Sequence, residues 1–321
     1  MVGVDVWTEG VPLNDEEIAL CAAEAAGRSP QFATVEPLTG KQGLIVCRVR
    51  FADGSACIFK AIREARKHEI AVSQLLCKIV PDIVPRILGS DEDQSRGLYW
   101  LVTEDLGRLR LADCPSACAY SRAGHELARM QLAAMEHSDC FVKAGAPTVD
   151  VDRWEEIALR LLETAQSAGN GYAMVDLSAL EEVVWSASRL AQDAAILPVT
   201  LIHGDLHAAN VAVMGDSVKL MDWGSAYLGA AFLGLEELLW PAARHLRSSA
   251  DIDQVRTAYL RTWAPILGKP GHLQAPLLAC RTLVRMELLL EALRPASESD
   301  PYAFAATYSK TMAAYQDWKR A

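Results

Sequence analysis

Apolar residues in the first third of the chain fall into short runs with strand-like patterning. Residues 32–38, 43–51 and 55–62 are such runs, and Ala52-Asp53-Gly54 supplies a turn between the last two, because Asp-Gly tolerates positive φ. Residues 63–79 switch to a helical period, with Ile70, Leu75, Leu76 and Ile79 near one face, and Pro81 and Pro85 stop the helix. Residues 99–103 return to a strand pattern that Leu106-Gly107 breaks. The remainder is rich in Ala and Leu at helical spacing, over 123–135, 153–167, 180–194, 253–263 and 276–293. The only strong β signal there is a hairpin, 211–214 and 218–221, around Gly215-Asp216. The pattern predicts an α+β chain: a β-rich part over 1–103, opened by an extension helical at 15–26, joined near Glu104 to a mostly helical part over 104–321.

Composition narrows the class. At 321 residues, 51% hydrophobic and 22% charged, the chain can bury a core large enough for two lobes. No apolar run approaches the roughly 20 residues that a membrane helix needs. The start, Met1-Val2-Gly3-Val4-Asp5, lacks the basic and apolar segments of an export signal, so a cytoplasmic location is expected. The eight Cys form no Cys-x-x-Cys pair, which argues against a zinc cage; most sit in apolar runs, as Cys47 and Cys57 do, and read as buried free thiols. A net charge of -10 disfavours a nucleic-acid partner, whose phosphates require a basic face. It is compatible with a cationic ligand or with Mg²⁺, although solubility explains it equally well.

The chemistry concentrates in His203-Gly204-Asp205-Leu206-His207-Ala208-Ala209-Asn210, followed by the hairpin and Asp222-Trp223-Gly224. This spacing puts two carboxylates and an amide around one cleft. Phosphoryl transfer uses such a set: one carboxylate aligns the attacking hydroxyl, while an amide oxygen and a second carboxylate hold Mg²⁺ on the phosphates. The Asp-to-Asn interval equals that of the protein-kinase catalytic loop, but Gly rather than Arg precedes the Asp. The segment resembles the signature of the aminoglycoside phosphotransferase and choline kinase superfamily. That resemblance implies a protein-kinase-like, two-lobed α+β fold, with Asp205 as catalytic base and Asn210 and Asp222 as Mg²⁺ ligands. His203 and His207 read as loop supports; a metallohydrolase reading of His-x-Asp-x-His would need further His or Asp clusters, and the other histidines are isolated.

Upstream, Cys57-Ile58-Phe59-Lys60 resembles the strand whose Lys neutralises nucleotide phosphates. Glu69 is the expected partner of Lys60, with Glu64 as the alternative. The segment Leu38-Thr39-Gly40-Lys41-Gln42-Gly43 stands where a phosphate-covering loop is expected, with Gly40 as its candidate contact. Glu104 and Leu106 fall where the family's hinge meets the adenine edge through backbone groups. In the helix ending at Met135, Met130-Gln131-Leu132 replaces the family's frequent Leu-His. Glu236 and Glu237 are candidates for an acceptor pocket, or a half-solvated helix face. The resulting expectation is a transferase moving the γ-phosphate of ATP or GTP to a hydroxyl of a small neutral or cationic molecule. The rival reading is a nucleotide-binding pseudokinase acting as an interaction module, disfavoured because Lys60, Asp205, Asn210 and Asp222 are all present.

Overall fold

The computed structural model describes residues 13–38, 45–167, 176–268, 273–293 and 301–321. An antiparallel five-stranded sheet is built from β1 (Thr34–Pro37), β2 (Ile45–Arg50), β3 (Ala56–Arg63), β4 (Ile87–Asp93) and β5 (Leu98–Glu104), in the order β1-β2-β3-β5-β4. Four of these strands stand where the pattern predicts. The unpredicted one, β4, carries Ser90-Asp91-Glu92-Asp93 at the sheet's edge, where no apolar alternation is required.

Helix α1 (Asp15–Ala26) opens with a capping box formed by Asn14 and Glu17. Its Ile18, Ala22 and Ala23 pack on Cys47, Val49, Cys57 and Phe59 to form a small core on one face of the sheet. On the other face lies α2 (His68–Ile79), which begins only after a 3₁₀ turn at Glu64–Arg66, so the expected helix over 63–79 is shorter at its start.

The second, larger core joins α3 (Ala117–Met135), α4 (Ser138–Lys143), α5 (Val151–Ser167), α6 (Leu177–Trp185) and α7 (Ala187–Ala194) to α8 (Phe232–His245), α9 (Ser249–Leu267), α10 (Gln274–Ala292) and α11 (Pro301–Arg320). The single helix expected over 180–194 is two, broken at Ser186, whose Oγ bonds back to Glu182 O at 2.9 Å. The expected hairpin is β7 (Val211–Met214) and β8 (Ser217–Leu220). A second ribbon, β6 (Val199–Ile202) with β9 (Tyr227–Ala230), was not anticipated, because four-residue strands far apart in sequence show no usable period. Among the cysteines, Cys47, Cys57 and Cys280 are buried, whereas Cys118 and Cys140 are exposed on helices, against the expectation for an apolar run.

Candidate active site

The two-residue period of β3 sorts its side chains. Cys57, Phe59 and Ala61 face α1, so Ile58 and Lys60 face a cleft between the sheet and the helical part. The Lys60 ammonium lies 2.6 Å from Glu69 Oε1 and 2.7 Å from Asp222 Oδ1. Burial disfavours its charged form, but the two carboxylates outweigh burial and hold its pKa above the ordinary value. Glu69 is 2% exposed, and burial pushes its carboxyl up despite Lys60, whereas at Asp222 the ammonium wins and the carboxyl is held down. Glu64, the alternative partner, is exposed and pairs with Lys67. A Cβ at Gly224 would sit 2.7 Å from Glu69 Oε2, so Asp222-Trp223-Gly224 must end in Gly for Glu69 to approach.

The ribbon of β6 and β9 delivers the other half. After Ile202 the buried His203 ring sits 4.5 Å from that of Trp223; its Nε2 faces Met221 O at 3.0 Å, and its Nδ1 accepts Asp205 N–H at 3.3 Å. This pairing fixes a neutral tautomer, and burial lowers the pKa to about 4. Asp205 is exposed, with His207 Nε2 3.7 Å from its Oδ1. Asn210 ends a 3₁₀ turn (Ala208–Asn210), and its Nδ2 donates to Asp205 O at 2.9 Å, so the amide oxygen is the end that could hold a cation. Met221 N–H donates to Asn210 O at 3.0 Å, seating Asp222 beside this loop with a φ of 70°, uncommon for a residue other than Gly.

The cleft is open at its mouth, and Glu104 and Leu106 line it with Lys60, Glu69, Leu101 and Asp222. The Glu104 carboxylate is tied down by Arg86 N–H at 2.9 Å and Lys219 Nζ at 2.6 Å. Beside it stands a pair that sequence reasoning missed: buried Arg48 donates through Nε to Asp105 Oδ2 at 2.6 Å, linking β2 to the segment after β5. Gly40 lies outside the described residues. Glu236 is buried rather than half-solvated, and its carboxylate is paired with Arg281 Nε at 3.2 Å. Glu237 Oε2 accepts Gly204 N–H at 3.1 Å. Gln131 is wholly buried, donating to Ala231 O at 2.9 Å and standing 2.5 Å from the Tyr259 hydroxyl, so it fills a structural place.

These elements recur in solved structures. The choline kinase of Cryptosporidium parvum superposes with a TM-score of 0.66 at 10% identity, over 96% of this chain and 96% of its own. An aminoglycoside phosphotransferase from Alicyclobacillus acidocaldarius gives 0.61 at 12%, over 97% and 95%, and the Plasmodium vivax ethanolamine kinase 0.62 at 14%, over 88% and 83%. At such identities the likeness is one of fold. No curated protein sequence matches the chain significantly. Residues 38–268 match the family model described as "Phosphotransferase enzyme family", which spans the cleft, the Asp205 loop and the Asp222 segment. With most of its length so matched and a kinase-like fold around the cleft, the chain belongs to the phosphotransferase enzyme family.

Proposed function

We propose that this phosphotransferase moves the γ-phosphate of ATP or GTP, with Mg²⁺, onto a hydroxyl of a small molecule that is neutral or cationic. The observation that carries the reading is the single ammonium of Lys60 held by both Glu69 and Asp222 on the wall of the cleft. In this reading residues 1–103 hold the nucleotide and 104–321 the acceptor, in the cytoplasm. Lys60 neutralises phosphate charge and Glu69 keeps it extended, while backbone groups near Glu104 and Leu106 meet the base. Asp205, exposed at the end of its loop, aligns the acceptor hydroxyl and takes its proton.

The donor set suits Mg²⁺, which prefers a few hard oxygens and fills its remaining positions from water and phosphate. Asn210 and Asp222 would offer such oxygens from two segments that the Met221 N–H to Asn210 O bond holds together, and among the described residues no group of three or more His, Cys, Asp or Glu is arranged to hold a metal by itself. The ion, when bound, offsets triphosphate charge. For the acceptor, the Lys60 ammonium on the cleft wall is already held by two carboxylates and the chain carries a net charge of -10, so an anion is disfavoured. The fold relatives named for choline, ethanolamine and aminoglycosides fit that sign. No helix among the described residues is long and apolar enough to cross a membrane. The test is a panel of hydroxylated metabolites and antibiotics assayed for acceptor-dependent release of ADP or GDP. A protein that binds neither ATP nor GTP in a Mg²⁺-dependent manner would refute the reading.

A further inference from the structure

We infer that Glu237 is a positioning residue that clamps the Asp205 loop to the segment carrying Asp222, an inference that rests on the proposed phosphotransferase function. Each oxygen of its carboxyl has a partner on a different strand end. Oε2 accepts the N–H of Gly204, the residue before Asp205, at 3.1 Å, and Oε1 faces the Tyr227 hydroxyl at 3.4 Å. Tyr227 opens β9 and is the register partner of Ile202, the last residue of β6. One side chain therefore grips the ribbon where its strands diverge, one toward Asp205 and the other back toward Asp222.

The grip has a firm base. Glu237 sits in α8, whose entry at Ala231 is held by Gln131 Nε2 and whose adjacent Glu236 is paired with Arg281. The Ser225 carbonyl packs so close that a Cβ built on Gly204 would lie 2.0 Å from its oxygen, so the loop passes here only as glycine. Without the carboxyl, a half-buried N–H beside the reacting Asp loses its acceptor, and a loop exposed at Asp205 gains room to move. Charge is not what the clamp requires: burial, with Glu287 and then Asp205 adding to it, pushes the Glu237 carboxyl up to about 8, so at neutral pH it is mainly a hydrogen-bonding acid. Glutamine, which keeps an acceptor oxygen for Gly204, should therefore replace it.

Glu237→Ala and Glu237→Gln separate this role from a direct charge contact with the acceptor. Two readouts are taken: hydrogen exchange of the backbone around Gly204 and Asp205, and turnover of Mg·ATP with water as acceptor, alongside calorimetric ATP affinity. Alanine should raise loop exchange about tenfold. It should also cut turnover about 10²-fold at little-changed ATP affinity, with Gln within a few-fold of the parent. Parental loop exchange in the Ala variant, or a Gln variant as impaired as Ala, would overturn the inference. If Ala does not fold, Glu237→Asp, one methylene short of Gly204, is judged by the same criteria. A parent that neither binds nor turns over ATP or GTP refutes the phosphotransferase reading, while loop exchange still decides whether Glu237 clamps the loop.

Discussion

Replacing Gly204 by Ala should damage the protein in two separable ways. The residue has a φ of 79°, and a Cβ built there would lie 2.0 Å from Ser225 O, a backbone atom with no rotamer to escape into. Positive φ costs a residue with a side chain about 1–2 kcal/mol, and forcing in the methyl adds about 1–3 kcal/mol of overpacking. A total of about 2–5 kcal/mol follows. Gly215 in the β7–β8 turn isolates the first part: its φ is 61° and nothing lies within 4 Å of a Cβ, so Gly215→Ala should show only the conformational term. Relieving the clash also moves the loop by at least about 1 Å, enough to lower turnover about 10²-fold. Urea unfolding followed by tryptophan fluorescence measures the stabilities, and nucleotide turnover measures the loop. Equal losses in the two variants, with turnover intact in Gly204→Ala, would refute the packing argument.

Asp222→Ala should abolish the Mg²⁺-dependent part of ATP or GTP binding, read by calorimetry with and without the ion; unchanged affinity would remove Asp222 from the metal site. Asp205→Asn should leave nucleotide affinity within a few-fold and cut turnover by about 10²–10⁴, so near-parental turnover would sink its role as base. For His203 the lowered pKa means that the unfolded chain binds the extra proton first. Its stabilising contribution is complete above pH 6.5 and is lost as pH falls toward about 4. That lowering corresponds to roughly 3 kcal/mol, and His203→Asn should flatten the stability profile in this window. Identical profiles would contradict the neutral, buried assignment.

Lys60, Asp205, Asn210 and Asp222 could be singled out from sequence because their chemistry demands particular residue types at short, fixed intervals; the structure puts Lys60 and Asp222 on the wall of the cleft, with Asn210 bonded to Asp205 O and to the Met221 N–H next to Asp222. Between Glu69 and Glu64 the sequence offers only a preference, for the residue that precedes the apolar face of α2, and the packing decides for Glu69, which is buried against Lys60. The contacts that escaped are long-range and made by residues whose type says nothing of a partner. Arg48 and Asp105 are 57 positions apart, and Glu237 reaches Gly204 across 33. Likewise α8, with Gly234 and Pro241 inside it and apolar residues on several sides, has too little polar contrast to reveal a helical face.

The two borders of the five-stranded sheet have a bearing on how this protein behaves in a crowd of its own copies. An unpaired strand edge is a template for another chain's backbone. Along β4 the run Asp91-Glu92-Asp93 places consecutive carboxylates on that border, so a second molecule aligning its own β4 would meet like charge. The opposite border, β1, is only Thr34–Pro37, and its terminal Pro lacks the N–H that a continuing ladder would use. One rim is thus guarded by repulsion and the other by brevity, and each opposes edge-to-edge pairing of the sheet with a second copy.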